Sequence, residues 1–139
     1  MKKTTLLNRE LSAAVAGTGH TDLILVADAG HPIPRDVDRI DLAVRPGLPR
    51  TMDVLEAMLT ELSVEAFYVS AEMESASHDL WDAYTRILAP AERRILPHSE
   101  FKRLVPSVKY AVRTGEYSPY ANLILVGGTG GIVVSSTAR

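Results

Sequence analysis

The 139-residue chain has no cysteine. Disulfides, thiolate nucleophiles and thiolate-ligated zinc are excluded together, and a reducing compartment is compatible with the sequence. An excess of one charge is also missing. Fifteen Lys and Arg stand against 17 Asp and Glu, a formal net charge of -2. No basic field is therefore expected to draw nucleic acid or an anionic membrane. No apolar run approaches the roughly 20 residues of a membrane-spanning helix. Met1-Lys2-Lys3 imitates the start of a signal peptide, but Asn8, Arg9 and Glu10 interrupt the apolar stretch that follows. The expectation is a soluble cytoplasmic protein.

What is present fits a folded protein, with 46% hydrophobic and 23% charged residues. One domain over residues 1–139, with a tail from about 128 that frays or adds an edge strand, is the simplest organisation. A mean hydropathy of +0.04 is high for so small a monomer, so subunit contacts are expected to bury apolar surface.

Helix and strand patterns alternate, which argues for an α/β layered fold. Asn8 can cap a helix to about Ala16 with a stripe of Leu7, Leu11, Ala14 and Val15, ended by Gly17 and Gly19 in left-handed conformations. Residues 22–27 read as a buried strand, and Pro32 and Pro34 as a stiff extended loop. Residues 40–44 alternate as a second strand. Thr51 can cap a helix carrying Met52, Leu55, Leu59 and Leu62. Residues 64–71 form a third strand. Ser77 can cap a helix with Leu80, Trp81, Tyr84 and Leu88 on one face. A short strand near Ile95-Leu96, a short helix over 99–104 and strands over 109–114 and 122–127 complete the pattern.

Polar residues of catalytic type gather at the ends of two apolar runs. His20 enters the run Leu23–Val26 and Asp28 leaves it; Tyr120 and Asn122 enter Leu123–Val126. Strand ends are where a rigid scaffold meets solvent. A histidine titrating near neutrality can exchange protons at cellular pH, although a lone histidine is more often a surface or capping residue. Asp28 lies eight residues beyond His20, so the two belong to opposite ends of one strand. Asp28 also suits a plain Asp-Ala-Gly turn. Tyr120 and Asn122, spaced by two, are expected on one side of their strand, where the amide can both donate to and accept from vicinal hydroxyls. Fixing a turn is an equally good reading of that pair. His31, His78 and His98 read as loop histidines on spacing alone. The Gly127–Gly131 run lacks the helix and residue order of a phosphate loop. His20, His98 and an Asp show no metal-ligand spacing, so no metal is expected.

In sequence order, Met1-Lys2-Lys3, Leu7-Asn8, Gly19-His20-Thr21-Asp22, Asp28-Ala29-Gly30, Pro32-Ile33-Pro34, Arg39-Ile40-Asp41, Val64-Glu65-Ala66 and Ser118-Pro119-Tyr120-Ala121-Asn122 span nearly the whole chain. Together they resemble the D-ribose pyranase family. That family is similar to the L-fucose mutarotases, which share the Gly-His and Asp-Ala elements. Ser77-His78-Asp79 departs from the family's frequent Asn-Pro, and residues from Gly130 onward run past its usual end. The resemblance implies a three-layer α/β/α sandwich around a central sheet, assembled as a pentamer or decamer with sites at subunit interfaces. It implies an isomerase that converts ribose between pyranose and furanose forms and supplies furanose to ribokinase. By motif, His20 matches the proton donor, and Asp28, Tyr120 and Asn122 match sugar-binding positions. His98 matches a further binding position, and Lys102 lines the site. Opening a hemiacetal and closing it through a different hydroxyl needs general acid–base catalysis but no covalent nucleophile, metal or redox partner, so no cofactor is expected. A mutarotase for another monosaccharide such as L-fucose, and a sugar-binding module without catalysis, are the alternatives.

Overall fold

The computed structural model describes residues 1–130. Six strands form one mixed sheet: β1 (Leu23–Ala27), β2 (Asp38–Asp41), β3 (Val64–Ser70), β4 (Glu92–Leu96), β5 (Tyr110–Arg113) and β6 (Leu123–Gly127). Their spatial order is β2-β5-β1-β6-β3-β4. β5 runs parallel to β1 and β2, and β4 parallel to β3. β6 lies antiparallel between β1 and β3. The apolar runs Leu23–Val26 and Leu123–Val126 are therefore neighbours, with Val26 opposite Leu123 and Leu23 opposite Val126.

Side chains alternate across a strand, so β1 and β6 feed two cores. Ile24, Val26, Leu123 and Leu125 pack under α1 (Arg9–Ala16), α2 (Thr51–Met58) and α4 (His78–Leu88). Leu25, Ala27 and Ile124 pack on the other face against Phe101 of α5 (His98–Leu104), Val105, and Ile33 and Val37 of the proline loop. Burial on both faces explains why these strands read as continuous apolar runs. The expected α/β/α layering is what the chain adopts. α3 (Met73–Ala76), a single turn, had no periodic signal.

Local details differ from the sequence reading. Asn8 caps α1 as expected, Oδ1 accepting from Leu11 N–H at 2.8 Å. The buried residue before it is Leu6, while Leu7 is exposed. Gly17 ends α1 in a right-handed conformation, because its N–H still reaches Ala13 O. β2 starts two residues earlier than predicted and ends three earlier; Asp41 Oδ1 accepts from Ala43 N–H and turns the chain out of the strand. Arg50, not Thr51, is the N-cap of α2, and Asp53 accepts from its N–H at 2.8 Å. Thr51 is instead fully buried. α2 closes at Met58; Leu62 packs from the turn beyond it. Ser77 precedes α4 but its hydroxyl donates to Pro119 O at 2.6 Å rather than capping the helix. Of the expected tail, Gly128 is held by Ser63 O at 2.8 Å, and residues 131–139 lie outside the described residues.

Candidate functional site

A cleft of about 550 Å³ opens where β1 ends and β6 begins, a volume suited to a small polar ligand. Asp28, His98, Tyr120 and Asn122 all line it. Asn122, 2% exposed, binds Asp28 twice. Its Oδ1 accepts from Asp28 N–H at 2.7 Å, and its Nδ2 donates to Asp28 Oδ2 at 3.2 Å. Gly30 N–H donates to Asp28 Oδ1 at 3.0 Å, so the predicted Asp-Ala-Gly turn and the predicted ligand residue are one structure. An amide nitrogen carries two protons, and one remains for a ligand. Asn122 thus orients the Asp28 carboxylate as much as it offers itself.

Tyr120 lies in the turn before β6, with φ at +54°, so the period-two argument for it does not apply. A positive φ is unfavourable for tyrosine and has to be imposed by its surroundings. Its ring meets His98 edge-on, with centroids 5.0 Å apart. His98 opens α5; its Nδ1 pairs with Ser70 Oγ at 2.8 Å, and Phe101 stacks alongside at 6.1 Å. Fixing Nδ1 on the protein side makes Nε2 the imidazole atom for a ligand. Lys102 lines a smaller adjoining hollow with Pro34 and Val105; His31 and Pro32 are common to both hollows.

Four residues of this cleft were missed by sequence reasoning. His31, 8% exposed, packs edge-on against His98 and Phe101, and its buried Nε2 has no hydrogen-bond partner among the described residues. Burial lowers its pKa below 6.5; Asp28 opposes that shift, and His98 and Lys102 reinforce it. Arg113 donates from Nε to Ala29 O at 2.9 Å and pairs with Asp41 at 3.0 Å, bracing the loop after Asp28. Glu116 is buried and accepts from Thr51 and Ser118. Burial pushes its pKa up, but the bonds from Ser118 and Thr51 outweigh that and hold it below the usual 4.5. Ser118 lines the cleft beside it. The Gly-Glu-x-Ser-Pro run was the available signal for Glu116 and Ser118. Nothing local marked His31 or Arg113, whose roles come from elements far away in sequence.

His20 is not in this cleft. It sits at the opposite end of β1, half-exposed, with Nε2 3.0 Å from Glu65 Oε2. The five-residue strand between is roughly 16 Å long, too far for both groups to meet one small molecule within one chain. The turn carrying His20 is nonetheless built. Asp22 Oδ2 accepts from Gly19 N–H at 2.7 Å and from Lys109 Nζ at 3.0 Å, which lowers the Asp22 pKa. Thr21 takes φ +70°, with its N–H donating to Gly127 O at 2.9 Å. Among the described residues, both non-glycine residues with positive φ thus adjoin or belong to candidate site residues. His20 lines a second hollow of about 450 Å³ with Glu61, Ser63 and Gly128. His20 and His98 do not share a site within the chain, and among the described residues no cluster of three metal-ligating side chains occurs.

Fold and cleft define an α/β protein with a polar small-molecule pocket at the ends of its central strands. The RbsD / FucU transport protein family model matches residues 1–130, and the chain belongs to that family. It is 47% identical over 128 residues to the D-ribose pyranase of Symbiobacterium thermophilum, covering 92% of this chain and 98% of that one. With the D-ribose pyranase of Thermoanaerobacter pseudethanolicus it shares 46% identity over the same shares of each chain. The structure of Bacillus subtilis RbsD complexed with D-ribose superposes with a TM-score of 0.89 at 39% identity, covering 94% of this chain and all of that one. The fucose mutarotase of Streptococcus pneumoniae, at 20% identity and a TM-score of 0.76, shares the fold.

Proposed function

We propose that the chain is a D-ribose pyranase, an isomerase exchanging the six- and five-membered rings of ribose. The carrying observation is the Asp28–Asn122 pair at the mouth of a sugar-sized cleft, in a chain alike over 94% of its length to a relative complexed with D-ribose. Ring opening delivers a proton to the ring oxygen and removes one from the anomeric hydroxyl; closure through another hydroxyl reverses both transfers. A carboxylate, an imidazole, an amide and a phenol around one cleft supply acceptors and donors for a polyol. The ring C–O bond breaks to give the open-chain aldehyde and a new C–O bond forms from another hydroxyl, with no change of oxidation state, so the catalysis required is proton transfer, which the residues present can supply. Asp28, His98, Tyr120 and Asn122 hold the sugar, with Lys102 at the margin.

His20 is the proton donor in this reading, and it acts on the cleft of a neighbouring copy. Two observations support that arrangement: one chain separates His20 from the cleft by the length of β1, and the turn that carries it is held in a strained conformation at the surface. The working unit is then a ring of at least five chains, each folded as one unit. It acts in the cytoplasm, handing furanose to a ribokinase; no helix of the described residues is long and apolar enough to cross a membrane.

Magnetization-exchange NMR on D-ribose tests the reading. Pyranose–furanose exchange above the uncatalysed rate is expected, and His20→Gln is expected to remove most of it while leaving the assembly intact. Exchange between anomers alone would make the protein a mutarotase. Binding with unchanged exchange would make it a sugar-binding module.

A further inference from the structure

We propose that Tyr84, on a helix outside the cleft, is a positioning residue that holds the Ser118–Asn122 strap in its ligand-ready shape through a buried relay with Thr51 and Glu116. The inference rests on the cleft being the ribose site. Tyr84, Thr51 and Glu116 are 1%, 0% and 6% exposed. The Tyr84 hydroxyl donates to Ala121 O at 2.7 Å. A carbonyl only accepts, so the tyrosine proton is committed there. The Thr51 hydroxyl, 2.6 Å from Tyr84 Oη, must then be the donor in that contact. Its single proton is shared with Glu116 Oε1 at 3.1 Å, which also accepts from Thr51 N–H at 3.2 Å. Glu116 Oε2 accepts from Ser118 Oγ at 2.8 Å and Ser118 N–H at 3.3 Å. One network thereby ties the strap at both ends, at Ser118 and at Ala121.

Between the two ties lies Tyr120 at φ +54°, with Pro119 O held by Ser77. A tyrosine keeps that backbone only where its neighbours over-determine it. Tyr120 and Asn122 are the strap's contributions to the cleft, and Asn122 in turn aims Asp28. Filling the core beneath the strap requires only an aromatic ring. The buried hydroxyl is costly unless bonded, and its bond goes to the strap carbonyl.

Tyr84→Phe keeps the ring and leaves Ala121 O without its partner. Ribose affinity is expected to fall about five- to 150-fold by titration calorimetry, the range for one buried unpaired group. The Asn122 side-chain amide signals in nitrogen-15 NMR are expected to shift. Thr51→Val should act in the same direction, and Thr51→Ser should restore parent affinity. Trp81→Phe is the control, since Trp81 is buried on the same helix and its ring is covered by Arg93 rather than bonded to the strap. It should cost stability and leave affinity and the Asn122 signals unchanged. Parent-like affinity in Tyr84→Phe overturns the proposal, as does an equal loss in Trp81→Phe. Failure of the parent protein to bind ribose would refute the pyranase reading alone; the Asn122 signals of the Tyr84→Phe and Trp81→Phe variants would still decide the proposal.

Discussion

Protonating His31 would place a charge in a buried seam between His98 and Phe101, where Nε2 has no partner among the described residues. The groups facing it are Asp28, which favours the charge, and His98 and Lys102, which oppose it. Because the folded pKa lies below 6.5, the unfolded chain takes up the proton first as pH falls. The stability contribution is complete above about 6.5 and is lost below that, toward the folded value. Urea unfolding at pH 7.5 and 5.5 should show a smaller acid-side loss in His31→Leu than in the parent; identical losses would mean that His31 is not the group responsible. Glu116 has the same sign at lower pH: its share is present above 4.5 and lost as pH falls through its lowered folded pKa. Asn122 is tied to binding instead. Asn122→Ala removes both contacts with Asp28 and should cost about 1–3 kcal/mol of ribose affinity by calorimetry, more than Tyr120→Phe, which keeps its ring against His98. Equal affinity in Asn122→Ala and parent would take Asn122 out of the site.

At the scale of elements, the cleft depends on turns as much as strands. Gly115 follows β5, and a Cβ there would meet Leu48 O at 2.5 Å and Arg45 O at 2.6 Å. Backbone atoms cannot swing aside. Its N–H also donates to Pro49 O, docking the 45–49 loop on the strand that leads to Glu116. Gly115→Ala should destabilise the protein by about 1–3 kcal/mol, the cost of overpacking, read as a lower urea midpoint. An unchanged midpoint would mean that the loop relaxes freely. The buried strands were legible because both faces demand apolar residues, and α1 was legible through Asn8. The alternation over residues 40–44 places β2 late, and the Thr51 hydroxyl at a helix start suggests a cap. Propensity sees the hydroxyl beside a helix start, but only the packing of α4 over α2 puts Tyr84 within its reach.

For the whole molecule, the outer strands β2 and β4 are exposed edges, and Val44, Leu48, Ile95 and Tyr117 stand exposed near them or the cleft. Exposed edges and apolar side chains are what assembly covers. Sedimentation equilibrium should give a mass several times 15.1 kDa. A sharper outcome follows if His20 serves a neighbour's cleft. His20→Gln, nearly inactive alone, and Asn122→Ala, assayed at a ribose concentration too low for its weakened cleft to fill, should regain part of the ring exchange when dissociated, mixed and reassembled, because some interfaces then join an intact His20 to an intact cleft. Mixtures no more active than their components would place the proton donor within the chain that binds the sugar.

The sequence by itself determined the layered α/β class and the strands at its centre, because continuous apolar runs and helical stripes are local consequences of burial. It also pointed to Asp28, Tyr120 and Asn122 at the ends of such runs, with a turn as the equal reading, while His98 stood out only through the resemblance to a family. Tertiary structure alone decided that β6 inserts between β1 and β3, which brings Asn122 onto Asp28 across 94 positions of chain. It also buried His31 against His98 and turned Thr51 and Tyr84 into one relay. The physical reason is the same in each case: strand order and helix docking join residues with no sequence relation, while the spacing of His20 and Asp28 along one strand keeps apart two that the motif suggested together.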